Sequence, residues 1–333
     1  MGTAQYIPAT KSQLRFYRDV ELYARAEGKG FVLYKRAGIT LSEMRLEHGI
    51  HPKVLFIRQT DKLRGLREAQ KGFNKELEHF VEAKEPAKIK ETVVNVVQET
   101  LAEPRSGSLE GISDTVGLLV NDYIRQSDVI KTLVDMSSTD YSVIMHSINV
   151  MAFALAFAFH MRYPEAQART LGLSALLHDV GKTKINPHLL AAPRKLTEEE
   201  FEEVKRHTTI GYDLLRGCKF AQKEIALTAL EHHEKLDGSG YPKGKFNISE
   251  TAKIVGIIDC YEALTTDERP YREAMEPFDT LDEIIGNEVK LGKFDKDIYC
   301  EFVRSLGGRK SRLSLKQFYA PPYGNARVAG ITG

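Results

Sequence analysis

Residues 232–242 read HHEKLDGSGYP, and this stretch decides the class of fold expected for most of the chain. Its two histidines follow an apolar segment, residues 225–230, of the kind that forms a buried helix. Gly238, Gly240 and Pro242 come next, and these residue types favour a tight turn. The stretch therefore predicts a helix within the core whose end presents two imidazoles beside a turn.

Five more ionisable residues occur in or at the ends of segments that read as helical and mostly apolar: His146, His178, Asp179, His207 and Asp259. One such histidine alone would be interpreted as a hydrogen-bonded core residue. Buried polar groups need partners, and buried charges need them more. Divalent cations would satisfy all seven groups together, His232 and His233 included. Imidazole and carboxylate donors without thiolate favour iron, manganese, zinc or cobalt over calcium and magnesium.

Two motifs carry a resemblance to a known family. HDVGK at residues 178–182 resembles the signature of the HD superfamily of metal-dependent phosphohydrolases. Residues 232–242 resemble the longer signature of its HD-GYP branch, whose members are bacterial cyclic di-GMP phosphodiesterases. The likeness covers about residues 137–306 and implies an all-α, HD-type helical bundle that carries the active site. It implies hydrolysis of cyclic di-GMP to linear pGpG, with further cleavage to GMP left open.

The resemblance also implies a role for each of the seven residues. Asp179 would bridge two divalent metals, iron or manganese first, with zinc, cobalt or nickel as alternatives. One site would be completed by His146, His178 and Asp259, and the other by His207, His232 and His233. Some members hold a third metal with a glutamate one helical turn before the first histidine. This chain has Ser142 at that position, which favours two metals.

Lys182 follows Asp179 by one turn and is predicted to be catalytic, because its charge can neutralise charge that develops on phosphorus. The predicted substrate-binding residues are Lys182, Gly240, Tyr241, Arg269 and Arg272. The planar fork of arginine suits both phosphate and guanine edges. Ion pairs with the neighbouring glutamates are the alternative for the two arginines.

Residues 1–80 show short β-branched and aromatic runs separated by turn signals, which predicts a small α/β or α+β domain. These strands resemble the amino-terminal modules found ahead of some HD-GYP domains, and that resemblance implies a regulatory or sensory role. An irregular arm of the larger domain is the alternative. Residues 81–136 are predicted to be a helical connector through which a homodimer could form, residues 137–306 the HD-GYP domain, and residues 307–333 a basic flexible tail. The chain as a whole is expected to be α+β.

The amino-acid composition of the chain limits the kinds of partner and the location that we expect. The 333 residues include 47 basic and 46 acidic side chains, so no broad cationic field is expected to bind a nucleic-acid polymer. Three cysteines and the lack of a secretory signal predict a cytoplasmic location. The apolar run at residues 143–159 contains polar residues and is shorter than the ~20 residues of a membrane span, so it is predicted to be a core helix without membrane insertion.

Two further functions stay open beside the phosphodiesterase. A broader HD-type nucleotide phosphohydrolase is less favoured, since the longer motif is absent from the wider superfamily. A catalytically weak or silent receptor would bind a cyclic dinucleotide or signalling proteins. All seven predicted ligands are present, which argues against a decayed active site.

Overall fold

The computed structural model describes residues 5–28, 30–41, 52–101, 110–125, 143–218, 222–266 and 275–306. Several sequence predictions lie outside these ranges. They concern Arg269, Arg272, Ser142, part of the connector and the basic tail at residues 307–333.

A small antiparallel sheet begins the described chain. Its strands are β1 (Tyr6–Pro8), β2 (Leu22–Ala26), β3 (Gly30–Lys35) and β4 (Phe56–Arg58), in the order β1-β4-β2-β3. β2 and β3 form a hairpin whose turn contains Gly28 at φ 71°, a backbone conformation that glycine adopts without steric cost. The α+β class predicted from the sequence is confirmed.

Three long helices follow the sheet: α1 (Lys62–Glu82), α2 (Pro86–Leu101) and α3 (Glu110–Arg125). They contact one another and also reach the bundle that follows, because α2 contacts the helix at residues 143–160 and α3 contacts the helix at residues 165–177. One continuous cluster of buried apolar side chains includes Leu14, Phe73 and Val93 together with bundle residues. The hydrophobic core therefore continues from the N-terminal elements into the bundle.

The bundle is built on α4 (Val143–His160), α5 (Glu165–Leu177), α6 (Pro187–Leu190), α7 (Glu198–Lys205), α8 (His207–Leu215), α9 (Lys223–Glu231) and α10 (Glu250–Thr265). It ends with α11 (Pro277–Asp279), a π-helical turn (Thr280–Ile285), α12 (Gly286–Lys290) and α13 (Lys296–Leu306).

α4 lies at the centre of this bundle. Among the described helices it is the one that is long and apolar enough to cross a membrane, with a mean hydropathy of 1.7. However, 72% of it is buried inside the fold, where it contacts α2, α5, α10 and α13. A helix covered on all sides by other helices is expected to be apolar around its whole circumference. The environment of α4 therefore matches the predicted core helix.

Glycines allow the helices that carry the histidines to approach closely. A Cβ added at Gly256 in α10 would lie 2.5 Å from the carbonyl oxygen of His232. A Cβ added at Gly181 would lie 1.9 Å from the carbonyl oxygen of His207. Both distances are shorter than any tolerable contact, and the atoms that would be met belong to the backbone. The positions of His207 and His232 thus depend on the absence of these two side chains.

We expect Gly256→Ala to destabilise the protein by about 1–3 kcal/mol, because the new methyl group would push against the His232 carbonyl. In an exposed helix the same change stabilises by about 1 kcal/mol, so the expected sign is reversed here. Urea denaturation of the chelator-treated protein measures the difference. Gly217→Ala is the matched control, since no atom lies within 4 Å of its added Cβ. Equal stability of the Gly256 variant and the wild type would contradict the proposed close contact.

Candidate metal centre

The seven predicted metal-binding side chains lie together in the bundle, at the ends or inside five helices. His146 is in α4, His207 begins α8 and Asp259 is in α10. The pair His178 and Asp179 directly follows α5, and the pair His232 and His233 directly follows α9. Six of the seven are buried, with exposed fractions of 0–9%, and His233 is half-buried.

Asp179 lies between two groups of histidines. Its Oδ2 is 3.5 Å from His146 Nε2 and 3.3 Å from His178 Nε2. Its Oδ1 is 3.3 Å from His207 Nε2 and 3.8 Å from His232 Nε2. One carboxylate thus offers one oxygen to each group, which is the arrangement required of a bridging ligand.

Asp259 extends the first group and reaches the second. Its Oδ1 is 3.0 Å from His146 Nε2, and its Oδ2 is 3.9 Å from His233 Nδ1. Donor atoms within 4.8 Å of one another form three overlapping sets: Asp179, His207, His232 and His233; His146, His178 and Asp179; and His178, His232 and Asp259. The donors therefore form one compact centre rather than separate clusters.

Backbone carbonyls fix the orientation of three imidazoles. His178 Nδ1 donates to Ala175 O at 2.6 Å and His207 Nδ1 donates to Val204 O at 2.6 Å. His232 Nδ1 is 3.1 Å from the carbonyl oxygens of Thr228 and Ala229. With Nδ1 carrying the proton, Nε2 of each ring keeps its lone pair and faces the centre.

The chemistry of these donors fits a bound cation. His178 Nε2 and Asp179 Oδ1 are buried and have no hydrogen-bond partner among the described residues. Leaving a buried acceptor unsatisfied costs about 1–3 kcal/mol. A divalent cation held between the histidines and the carboxylate would satisfy both atoms at once.

The charges of four of the predicted ligands also suit a cation. Burial lowers the pKa of His207 to about 4 and that of His233 to about 3, although Asp179 and Asp259 oppose this effect. Burial likewise lowers the pKa of His232 well below its usual value. For Asp179, burial alone would raise the pKa, but Lys182 and His178 hold it well below the usual range. At neutral pH these groups are neutral imidazoles and an anionic carboxylate, the protonation states that metals require.

Glu262 is a site residue that the sequence analysis did not identify. It is 1% exposed, and its carboxylate accepts from His146 Nδ1, from Asn149 Nδ2 at 2.8 Å and from Thr266 Oγ1 at 2.9 Å. Burial alone would lower the pKa of His146, but Glu262 and Asp259 raise it to about 10. Because Glu262 lies one turn after Asp259 on α10, the two side chains lie on the same face. This spacing was the signal that could have revealed it.

We expect Glu262→Gln to weaken metal binding by about tenfold to a hundredfold. The amide keeps the size of the carboxylate but loses the charge that orients His146 and makes its ring a stronger donor. Competition with a fluorescent chelator measures the affinity for Mn²⁺. Glu283→Gln, on an exposed residue of the π-helical turn, should leave the affinity unchanged. An unchanged affinity in the Glu262 variant would show that this carboxylate only fills space.

The turn after His233 brings Tyr241 to the centre. The Tyr241 ring lies 4.6 Å from the His233 ring at an interplanar angle of 32°, and its backbone N–H donates to His233 O at 3.2 Å. The buried carboxylate of Glu234 accepts from the backbone N–H groups of Lys243 and Lys245 at 2.8 and 2.9 Å. Glu234 therefore holds the turn in place, and the turn holds Tyr241 against His233.

Gly240 has a steric reason to be glycine. A Cβ at this position would lie 2.3 Å from the backbone nitrogen of Lys235 and 2.5 Å from His233 O. Close packing of the turn explains the residue type without a ligand, so contact of Gly240 with substrate stays a prediction.

Lys182 lies at the edge of the centre. Its Nζ forms an ion pair with Asp179 Oδ2, and its side chain is 19% exposed. The ammonium is thus near the donor atoms and reachable from solvent, which a group that acts on a bound anion needs to be.

The chain is similar to known proteins over much of its length. The family model of the HD domain matches residues 127–298. The Pseudomonas aeruginosa protein named cyclic di-GMP phosphodiesterase PA4108 is 32% identical over 197 residues, which are 59% of this chain and 47% of that protein. The Xanthomonas campestris pv. campestris protein named cyclic di-GMP phosphodiesterase response regulator RpfG is 45% identical over 113 residues, covering 33% of this chain and 30% of that protein. The chain therefore spans less than half the length of either relative.

Two further comparisons extend this result. The 3'3'-cGAMP-specific phosphodiesterase 1 of Vibrio cholerae is 33% identical over 162 residues, covering 48% of this chain and 37% of that protein. The solved structure of Bd1817, described as a HDG"Y"P protein from Bdellovibrio bacteriovorus, covers 91% of this chain and 100% of its own with a TM-score of 0.61. At 20% identity, this structural likeness shows a shared fold alone. Since the family match covers more than half of the 333 residues, the chain belongs to the HD domain family, and the HD-GYP resemblance found in its motifs is confirmed.

Proposed function

We propose that this chain is a metal-dependent phosphodiesterase that hydrolyses cyclic di-GMP to linear pGpG, with GMP as a candidate second product. The position of Asp179 carries the proposal, since its two oxygens face two separate histidine groups. A site that offers donors to two adjacent cations suits hydrolysis of a phosphodiester. Relatives named as cyclic di-GMP phosphodiesterases support the choice of substrate.

Two divalent transition metals are proposed as cofactors, iron or manganese first, with zinc, cobalt or nickel as alternatives. One would be held by Asp179 with His146, His178 and Asp259, and the other by Asp179 with His207, His232 and His233. Imidazole nitrogens and carboxylate oxygens without thiolate support these metals. Such cations lower the pKa of water and neutralise phosphate charge, which provides a nucleophile at neutral pH.

The residues of the chain would orient the substrate around this centre. Lys182 places a positive charge beside Asp179, where it would stabilise negative charge that develops on the reacting phosphate. Tyr241 would contact the dinucleotide, since its ring covers His233 at the border of the centre. Gly240, Arg269 and Arg272 complete the proposed substrate contacts.

Product analysis tests the proposal. The full chain, loaded separately with Fe²⁺ or Mn²⁺, is incubated with cyclic di-GMP, 3'3'-cGAMP and a panel of mononucleotides, and the products are separated by anion-exchange chromatography. We expect pGpG from cyclic di-GMP and no product after chelation. Cleavage of mononucleotides alone would indicate a broader HD-type phosphohydrolase. Binding of cyclic di-GMP without turnover under any metal would indicate a receptor.

The relatives named as specific for 3'3'-cGAMP make this nucleotide the second candidate substrate. Cyclic di-GMP and 3'3'-cGAMP share their phosphodiester linkages and differ in one base. The ratio of their kcat/KM values therefore measures recognition of the base rather than the chemistry at phosphorus. A higher kcat/KM for 3'3'-cGAMP would identify that nucleotide as the preferred substrate. The proposed mechanism at phosphorus would be unchanged.

We also propose the organisation and partners expected from the sequence. Residues 1–80 would regulate the enzyme, residues 81–136 would connect to the catalytic residues 137–306, and residues 307–333 would form a basic tail. We further propose that the chain forms a homodimer through the connector and binds signalling proteins. Its proposed location is the cytoplasm, without membrane insertion. Light scattering of the purified chain at several concentrations tests the dimer.

A further inference from the structure

A cavity of about 600 Å³ opens beside Lys182. Its walls come mainly from the segment between the HDVGK motif and α7, and they are largely apolar: Leu189, Leu190, Ala192, Leu196, Phe201 and Val204. Ligand pockets in proteins commonly have volumes of roughly 300–1,000 Å³ and combine apolar walls with a few polar groups. This cavity meets both conditions, and the centre described above does not account for it.

The cavity adjoins the candidate metal centre through two of its lining residues. Lys182 forms an ion pair with Asp179. Phe201 packs edge to face with Tyr241 at a ring distance of 6.1 Å, and Tyr241 in turn covers His233. A ligand whose phosphate lies at the centre can therefore extend into the cavity.

The border between cavity and centre combines aromatic rings with a cation. Lys205 Nζ lies 4.8 Å from the centroid of the Phe201 ring and 5.4 Å from that of Tyr241, and it pairs with the exposed carboxylate of Glu202 at 2.6 Å. Phe201 itself is 44% exposed, which leaves ring surface available to a ligand. Aromatic faces that stack on bases, next to a positive charge that attracts phosphate, are the features that proteins use to hold nucleotides.

The wall that carries Phe201 is held in place by its own hydrogen bonds. Thr197 caps α7 by accepting from the backbone N–H of Glu200, and the Glu200 side chain accepts from the backbone N–H of Thr197 at 2.9 Å. Arg194 forms two further bonds of 2.7 Å to the same carboxylate. A wall ordered in this way lowers the entropy that a ligand must overcome on binding.

We propose that this cavity is a subsite for one purine base of the cyclic dinucleotide, with Phe201 as its stacking surface and Lys205 near the adjoining phosphate. This inference rests on the proposed function and names where that function's substrate is recognised. The base enters between Phe201 and the other apolar side chains that line the cavity. The scissile phosphate then lies near Lys182. Recognition of the base then lies beside the metal centre, which the cavity lining contacts at Lys182, paired with Asp179, and at Val204, whose carbonyl accepts from His207 Nδ1.

Phe201→Ala tests the subsite. Removing a stacking ring should raise KM for cyclic di-GMP about tenfold, while kcat and metal content change little, because binding is lost equally in ground state and transition state. Phe201→Trp restores a ring and should restore most of the affinity. Phe278→Ala is the matched control, since this phenylalanine is 54% exposed, lies in α11 and is not among the described residues that line the cavity.

The outcomes separate this inference from the function on which it rests. Hydrolysis by the wild type with an unchanged KM in Phe201→Ala would overturn the subsite and leave the phosphodiesterase standing. An equal rise of KM in Phe278→Ala would also overturn it, because the effect would not be local. A wild-type protein that neither binds nor cleaves cyclic di-GMP would overturn the proposed function itself, and the subsite with it.

Discussion

Replacing Asp179 with alanine should remove most of the bound metal and lower hydrolysis of cyclic di-GMP by about three orders of magnitude. The reason is the position of this carboxylate between the two histidine groups, within 3.3–3.8 Å of four imidazole nitrogens. Without it, both histidine groups lose the anion that they share, and Asp259 is left as the one carboxylate among the predicted ligands. Elemental analysis of the purified variant, together with product chromatography, measures both effects.

Asp213→Ala provides the matched control for this substitution. Asp213 lies in α8, the helix that begins with His207, but its side chain is 62% exposed and pairs with Arg216 on the surface. Surface pairs of this kind contribute about 0–1 kcal/mol, so metal content and rate should stay at wild-type values. An Asp179 variant that folds and retains its metal would contradict the bridging role.

Lys182→Ala should lower kcat by about a hundredfold and leave the metal content unchanged. The Lys182 ammonium pairs with Asp179 and lines the cavity, so it can reach a phosphate bound at the centre. Lys184→Ala is the control, since Lys184 lies in the same short helical segment and is exposed. Steady-state kinetics with metal-saturated protein measures the difference.

The Lys182 variant also separates catalysis from support of the site. If the metal content falls together with the rate, the lysine serves to hold Asp179 in place. If the rate is unchanged, its charge does not act on the substrate. Only a loss of rate with retained metal supports the catalytic role proposed for it.

The histidines and aspartates could be predicted from the sequence because they interrupt apolar runs. Polar groups such as His178 and Asp259 at the ends of buried helices need partners, and the motifs then implied which partners they share. The structure brings these side chains together from five different helices. Their roles as metal ligands remain predictions that the Asp179 and Glu262 variants address.

Glu262 was missed because a glutamate on an amphipathic helix usually faces solvent. Its burial depends on α10 packing against α4, which brings His146 and Asn149 to within hydrogen-bonding distance. Sequence periodicity indicates that a helix has a buried face, but it does not indicate which helix lies opposite. Contacts between elements more than a hundred residues apart therefore required the structure.

The packing of the N-terminal elements against the bundle could not be predicted from the sequence either. The sequence predicted a small α/β or α+β domain and a helical connector, but it does not indicate which elements the apolar faces of α1, α2 and α3 pack against. In the structure Val93 of α2 and Val116 of α3 belong to the same buried cluster as Ile148 of α4. Any regulatory signal from residues 1–80 would therefore have a packed route to the helix that carries His146.

Hydrolysis is proposed to depend on two metals bound by this centre. To test this, Mn²⁺ is added in known amounts to the chelated 333-residue chain, and cyclic di-GMP turnover is recorded against metal bound per chain. We expect almost no turnover without metal and a rise that is complete at two equivalents. Full turnover in metal-free protein, or a maximum reached at one equivalent, would contradict it.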